Sequence, residues 1–448
     1  MIILGIHGGF RLGQHDPAAA LLIDGELAAC IEEERLLRVK TPRGASPIEA
    51  IDRILKETGI SMRDIDLVAH PGETYQDAPA RIEAYFRHYF GHAPKIQMVN
   101  HQVAHLASAF FMSGHDSAMV LSYDGFGDRL SAALAQATRD KGIEVLETRD
   151  HRNSLGLFYA TITSFLGFTP DEDEYKVMGL AAYGEPNYDL SFFATTSDDG
   201  FQVHSEVCMS DDPSPITSWE PFYSEHLIEK LGPPRAKGEK LEQRHMDIAA
   251  STQKQLVECA KSAVNYLHKL TDERNLCLAG GVALNCAANN HLLKLDCVDD
   301  LFVQPAASDR GLALGCALQV AFESGDQIKP IPSVFYGPTY QDEQLRHALK
   351  LTGTHFEELE DPCKQAAELL ADGHIIAWYQ GRSEFGPRAL GNRSILADPR
   401  RAEMKDLVNA RIKYREDFRP FAPAVLEEKA KEVFDLPAPS PFMTIACG

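Results

Sequence analysis

The sequence predicts an α/β protein built as two domains. Three observations carry this. Apolar runs of strand length recur at 2–6, 18–23, 66–69, 96–99, 119–123, 276–279 and 301–304, and several break straight into glycine or an Asp-Gly pair. Helix-period segments lie between them: at 47–58 Ile48, Ile51, Ile54 and Leu55 share one face, and 247–270 reads as a long helix. Finally, 326–338 carries Pro330, Pro332, Gly337 and Pro338, which puts a boundary between a first domain at 1–330 and a second at 335–448.

Taken in order, the first strand ends at His7-Gly8-Gly9, and Asp24-Gly25 joins the next two strands as a hairpin. A strand, a polar glycine turn and a second strand can hold phosphate with backbone amides, and actin- and sugar-kinase-type ATPases, of the ribonuclease H-like fold, begin this way. His15 follows the first turn, as a ligand-facing imidazole or an ordinary loop histidine. Next, 100–109 reads as a helix on which His101 and His105 point the same way. Their spacing suits a metal pair and equally suits two half-buried core histidines. It is not His-Glu-x-x-His, so no zincin is implied. The strand at 119–123 delivers Asp124-Gly125-Phe126-Gly127, which reads as a metal-holding acid beside phosphate, as a hairpin turn, or as both.

The acidic run 171–174 reads as a solvated loop, and Lys176 just behind it could reach a phosphate. Residues 186–240 look like an irregular insertion without chemistry. The strand at 276–279 breaks into Gly280-Gly281 and then Asn285 at a helix start, a phosphate- or nucleoside-binding arrangement by geometry that lacks the Gly-Lys-Ser/Thr of a Walker loop. In the second domain, 375–379 reads as a buried strand. It leads into a loop that sets Arg382, Arg388 and Arg393 among three glycines and a proline, with Lys413, Arg415 and Arg419 behind. Guanidinium forks among glycines suit a phosphate or carboxylate, although a loop salt-bridged to nearby acids would look the same. The last residues, 442–448, are apolar and strand-like.

Composition bounds the function. With a net charge of −21, non-specific binding to nucleic acid or to an anionic membrane is disfavoured, so the arginines are expected to meet a small anion. Nine cysteines without a C-x-x-C pair fit reduced thiols in a cytosolic, cytoplasmic protein. No apolar run is long enough to cross a bilayer. Oligomeric state is not written in these residues, and a homodimer is compatible with them.

The arginine loop, Gly381-Arg382-x-Glu384-Phe385-Gly386-Pro387-Arg388-Ala389-Leu390-Gly391-Asn392-Arg393-Ser394, with Arg415-Glu416-x-Phe418-Arg419-Pro420-Phe421-Ala422-Pro423, resembles the ATP-dependent O-carbamoyltransferases of nodulation-factor and antibiotic tailoring. His15-Asp16-Pro17-Ala18-Ala19, Glu33-Glu34-Arg35, Ser154-Leu155-Gly156 and Glu174-x-Lys176-x-Met178-Gly179-Leu180-Ala181 match that family's signatures too. The resemblance implies an actin/sugar-kinase-like ATPase domain similar to that of tRNA threonylcarbamoyl-transfer enzymes. It also implies a smaller second domain of the threonylcarbamoyl-adenylate-synthase type. The family's later Ser-x-Asn motif is not found, so that domain is expected to be incomplete and the chain alone to transfer weakly.

Further, the resemblance implies one divalent metal held by His101, His105, Asp309 and Asp124, with Fe²⁺ favoured over Zn²⁺, Mn²⁺ or Mg²⁺. It implies ATP between Asp124-Gly125-x-Gly127 and Gly280-Gly281 with Asn285, and His15 and Lys176 in catalysis. Carbamoyl phosphate would lie on Arg382, Arg388, Arg393, Lys413, Arg415 and Arg419, and the acceptor would be a small hydroxylated natural product. A tRNA threonylcarbamoyl-type transferase and an inactive ATP-binding protein are the competing readings.

Overall fold

A computed structural model describes residues 1–11, 13–210, 222–436 and 439–447. Its first sheet is formed by β1 (Ile2–His7), β2 (Ala18–Ile23), β3 (Glu26–Glu32), β4 (Leu67–Pro71) and β5 (Lys95–Val99), in the order β3-β2-β1-β4-β5. The two hairpin neighbours are antiparallel and the last two pairs parallel. A second sheet repeats this plan with β6 (Ser117–Gly127), β7 (Leu130–Thr138) and β8 (Gly142–Asp150). After an insertion containing the small hairpin of β9 (Ala194–Ser197) and β10 (Gly200–Val203), it is completed by β11 (Asn275–Ala279) and β12 (Asp300–Val303). Its order is β8-β7-β6-β11-β12, again antiparallel twice and parallel twice. This duplicated sheet is the ribonuclease H-like architecture of the actin and sugar-kinase ATPases, as expected.

Because strands in the middle of each sheet are covered on both faces, their sequences are nearly continuous apolar runs. Along β6, Met119, Leu121 and Tyr123 join one core cluster, and Ala118 and Val120 join the other, between the sheets. That central core holds two helices, His101–Ser113 and Leu312–Glu323. The first packs on β6 and β11 of the second sheet, the second on β1, β2 and β4 of the first. Each lobe therefore sends its last helix against the other lobe's sheet. The helices approach closely: a Cβ on Gly315 would stand 1.9 Å from the Ala104 carbonyl oxygen. Gly315→Val is therefore expected to lower stability by about 2–3 kcal/mol, read as a fall in the urea midpoint of the second lobe.

The insertion expected to be irregular is partly ordered: besides the β9–β10 hairpin it contains helices Ser205–Cys208 and Glu225–Leu231, and residues 211–221 of it lie outside the described set. Its apolar residues, such as Phe201 and Leu227, pack with the long helix Gln243–Thr271 in the second lobe's core. Beyond residue 341 the described chain holds helices Asp342–Leu351 and Pro362–Ala371 and the hairpin of β13 (Ile376–Tyr379) and β14 (Arg393–Leu396). β13 was expected to be buried, yet its residues alternate between half-buried and exposed, because only one strand pairs with it. The described residues of the 442–448 segment form no strand: the Ala446 N–H donates to the Cys286 carbonyl, and Asn289 donates to that of Thr444. No helix among the described residues is long and apolar enough to cross a membrane.

Candidate active site

Four side chains from three segments converge. Asn100 caps helix His101–Ser113, accepting from the Gln102 and Val103 N–H groups, so the helix starts at His101. His101 and His105 then lie one turn apart with ring centroids 4.8 Å from each other. Asp124 sits where β6 leaves its ladder with β7, a bulge that swings the carboxylate out of the sheet. Asp309 opens the short turn before helix Leu312–Glu323. Asp124 Oδ2 lies 3.2 Å from His101 Nε2 and 3.4 Å from His105 Nε2, and Asp309 Oδ1 lies 3.6 Å from both.

The electrostatics follow from this convergence. Burial alone would lower the His105 pKa, but the adjacent Asp124 and then Asp309 carboxylates raise it to about 9. Burial alone would raise both carboxyls, but the imidazoles hold Asp124 and Asp309 well below the usual range. One divalent cation would balance the charge of the two carboxylates. The four ligand atoms lie within 4.8 Å of one another, and both ring nitrogens of the fully buried His105 make no regular hydrogen bond among the described residues. Two imidazole nitrogens and two carboxylates are a donor set for Zn²⁺, Fe²⁺ or Mn²⁺, so the residues fit a divalent metal.

The cluster faces a cavity of about 600 Å³. Gly125, Gly127, Gly281 and Asn285 line it, together with His15 and the apolar side chains of Leu157, Tyr159 and Leu256. The glycines differ in what they do. A Cβ on Gly125 would meet nothing within 4 Å, whereas one on Gly127 would stand 2.2 Å from the His101 ring. Gly280 needs its positive φ of 87°, and the Gly281 N–H donates to Asp124 Oδ1 at 2.9 Å. Asn285 caps helix Cys286–Leu293 and exchanges amide hydrogen bonds with Gln253. His15 rests on Asp16; burial would lower its pKa, but Asp16 and then Asp309 raise it to about 9.

Several expected site residues lie elsewhere. Lys176 is not on the cavity wall: its ammonium lies 3.0 Å from both Asp173 and Glu416, tying helix Glu174–Ala181 to the chain beyond residue 341. The run 171–174 is less solvated than expected, because Asp171 and Glu174 line the cavity, where burial and then the Asp171 charge push Glu174 up to about 8. Of the six cationic residues, only Arg388 and Arg419 line the cavity. Arg382 donates to the Ala28, Tyr336 and Gly337 carbonyls, so it fastens the loop to β3. Arg393 is held at 2.9 Å by the buried Glu384, which also accepts from the Leu390 and Asn392 N–H groups. Arg415 donates to Asn409 and the Pro420 carbonyl, and Lys413 is exposed on a π-helical turn.

The reason is geometric: a loop of glycines lacks side chains to pack, and half-buried guanidinium–carbonyl and guanidinium–carboxylate bonds hold it instead. Arg382→Ala is therefore expected to lower thermal stability. Arg388→Ala, by contrast, should leave the melting temperature within about 2 °C and weaken phosphate binding about tenfold or more, both read by thermal-shift titration.

Sequence reasoning passed over Arg11, Lys40, Arg43 and Arg310, which also line the cavity, and His7, whose Nε2 stands 3.3 Å from Asp309 Oδ2. For His7 there was a signal: it ends a buried strand immediately before two glycines. The Glu33-Glu34-Arg35 signature proves to be scaffolding. Glu33 accepts from the N–H groups of Glu49 and Ala50, Glu34 pairs with Arg310, and Arg35 donates to the Gly386 carbonyl.

Comparison with known proteins gives matches along most of the chain. The family described as "Carbamoyltransferase N-terminus" matches residues 3–89 and 87–318, and that described as "Carbamoyltransferase C-terminus" matches 367–448. Nodulation protein NolNO of Sinorhizobium fredii (strain NBRC 101917 / NGR234) is 37% identical over 479 residues, covering 98% of this chain and 68% of its own length. Nodulation protein NolO of Bradyrhizobium diazoefficiens is 41% identical over 355 residues, covering 76% of this chain and 60% of its own length. Among solved structures, full-length HypF in its phosphate- and nucleotide-bound form aligns over 73% of this chain and 47% of its own, at 15% identity and a TM-score of 0.42.

Proposed function

The chain belongs to the carbamoyltransferase family, and from that premise we propose that it moves the carbamoyl group of carbamoyl phosphate onto a hydroxyl of a small natural product, using ATP. The observation that carries this reading is the His101–His105–Asp124–Asp309 cluster at the wall of a cavity that two glycine turns also line. In this reading water releases phosphate from carbamoyl phosphate. The carbamate oxygen then attacks the α-phosphorus of ATP, and pyrophosphate leaves. The acceptor hydroxyl next attacks the carbamoyl carbon, and AMP leaves.

The triphosphate lies against the open face of Gly125, where no Cβ holds the phosphates away, and beside Gly281 on the cavity wall. The adenosine reaches toward Asn285, Leu256 and Tyr159. A divalent ion, iron by family resemblance, would be held by His101, His105, Asp124 and Asp309 and would offset charge on the triphosphate as a Lewis acid. His15, charged beside Asp16, orients the carbamoyl-adenylate through its phosphate or carbonyl oxygen. Arg388 and Arg419 bring anionic donor groups to the same cavity.

The test is product analysis. Incubated with ATP and carbamoyl phosphate, the protein should release pyrophosphate only when both are present, and AMP as water, standing in for the acceptor hydroxyl, hydrolyses the carbamoyl-adenylate. ADP in place of AMP as the nucleotide product, or the same rate without carbamoyl phosphate, would defeat the reading.

A further inference from the structure

We propose that His7 is a positioning residue that orients Asp309 for the cation site, so that a side chain of the first lobe sets the shape of a site whose carboxylates come from the second. The proposal rests on the reading that the cluster binds a divalent metal. His7 is the last residue of β1, and its backbone is fixed by the antiparallel register that pairs it with Ala18. Asp309 follows β12, in the other sheet. The His7 side chain is 2% exposed, and its Nε2 stands 3.3 Å from Asp309 Oδ2. Asp309 Oδ1, the other oxygen, faces His101 and His105 at 3.6 Å each. The two oxygens of one carboxylate are thus divided between His7 and the cluster.

That division matters because a carboxylate is free to turn about its last bond, and either oxygen could face a cation. A donor fixed on Oδ2 selects Oδ1 and sets the plane in which it points. His7 is well placed to be that donor. Neither of its ring nitrogens makes a regular hydrogen bond among the described residues, so no other described acceptor competes with Asp309 for the Nε2 proton. Its ring is steadied from behind by His70, stacked at 6.2 Å, which itself meets the edge of Phe10 at 5.3 Å. His7 stands outside the set of four converging ligand atoms, which makes it a support for the site rather than a fifth ligand. A buried imidazole with no other partner, placed against the far oxygen of a candidate ligand, is better explained by orienting that ligand than by packing.

The experiment measures Zn²⁺ affinity of the purified full chain by competition with a chromophoric chelator, for the wild type, His7→Leu and His7→Gln. Leucine keeps bulk and removes the donor; glutamine returns an N–H near the position of Nε2. His7→Leu should raise the Zn²⁺ Kd about 10–100-fold, and His7→Gln should recover most of it. Affinity for a non-hydrolysable ATP analogue without metal should be the same in all three. X-ray absorption of the zinc-loaded wild type should count two imidazoles. A leucine variant with wild-type Zn²⁺ affinity, a glutamine variant no better than leucine, or three imidazoles on zinc would each overturn the proposal. Wild-type protein that takes up no zinc would overturn the metal reading and the proposal with it, an outcome distinct from the other three. Should His7→Leu not fold, His7→Phe against His7→Gln gives the same contrast.

Discussion

His105→Ala is expected to lose its divalent metal and at least about a thousandfold of carbamoyl transfer, while keeping its fold. The expectation follows from charge. His105 is fully buried, and its Nε2 touches both Asp124 and Asp309. Removing it leaves two carboxylates facing one imidazole. Two of the four donors that define the site come from this helix, and a site left with one nitrogen and two oxygens holds a transition metal far more weakly. If the ion stabilises charge on the triphosphate, its loss removes several kcal/mol from the chemical step, and about 4 kcal/mol corresponds to a thousandfold. Metal content by elemental analysis and turnover with carbamoyl phosphate and ATP read the two effects separately. Full metal content in the variant would show that the ion sits elsewhere.

The second large effect separates two glycines that look alike in sequence. Gly127→Ala is expected to lower metal affinity about a hundredfold, because its Cβ would stand 2.2 Å from the His101 ring and must push that ring off the cluster. Gly125→Ala, two residues earlier, meets nothing within 4 Å, and its metal affinity and stability should match the wild type. Its Cβ would instead project where the triphosphate is placed, so ATP-analogue affinity should fall about tenfold or more. Calorimetric titration of each variant, first with Zn²⁺ and then with the analogue, checks both. Equal effects of the two substitutions on both ligands would contradict the assignment.

Much of this was legible in the sequence, for physical reasons that differ by element. The paired sheets were readable because strands buried on both faces leave long apolar runs, as in 119–123 and 276–279. His101 and His105 were readable as a pair because helical spacing fixes side-chain direction, although spacing alone did not separate ligands from core histidines. Asp309 could be joined to them only through family resemblance, since no periodicity links residues some two hundred positions apart.

The arginine loop was less legible, for the opposite reason. A guanidinium among glycines looks the same in sequence whether it grips a ligand or a carbonyl. Arg382 and Arg393 are spent on the Ala28, Tyr336 and Gly337 carbonyls and on Glu384, a buried acid that sequence reasoning passed over. The ion pair of Lys176 was hidden similarly, because its partner Glu416 lies 240 residues further along the chain. The order within the 186–240 insertion was hidden too, since a hairpin of four-residue strands such as β9–β10 carries too little periodicity to stand out.

In the proposed function one cavity holds the divalent ion and the ATP phosphates side by side. Manganese makes that directly measurable, because a paramagnetic ion shortens the relaxation of nearby phosphorus nuclei. The ³¹P relaxation of a non-hydrolysable ATP analogue should be measured on the protein with substoichiometric Mn²⁺, beside His105→Ala. The account predicts strong enhancement at all three phosphorus signals in the wild type and its loss in the variant, at matched nucleotide occupancy. Nucleotide bound without enhancement in the wild type, or enhancement unchanged in His105→Ala, would contradict it.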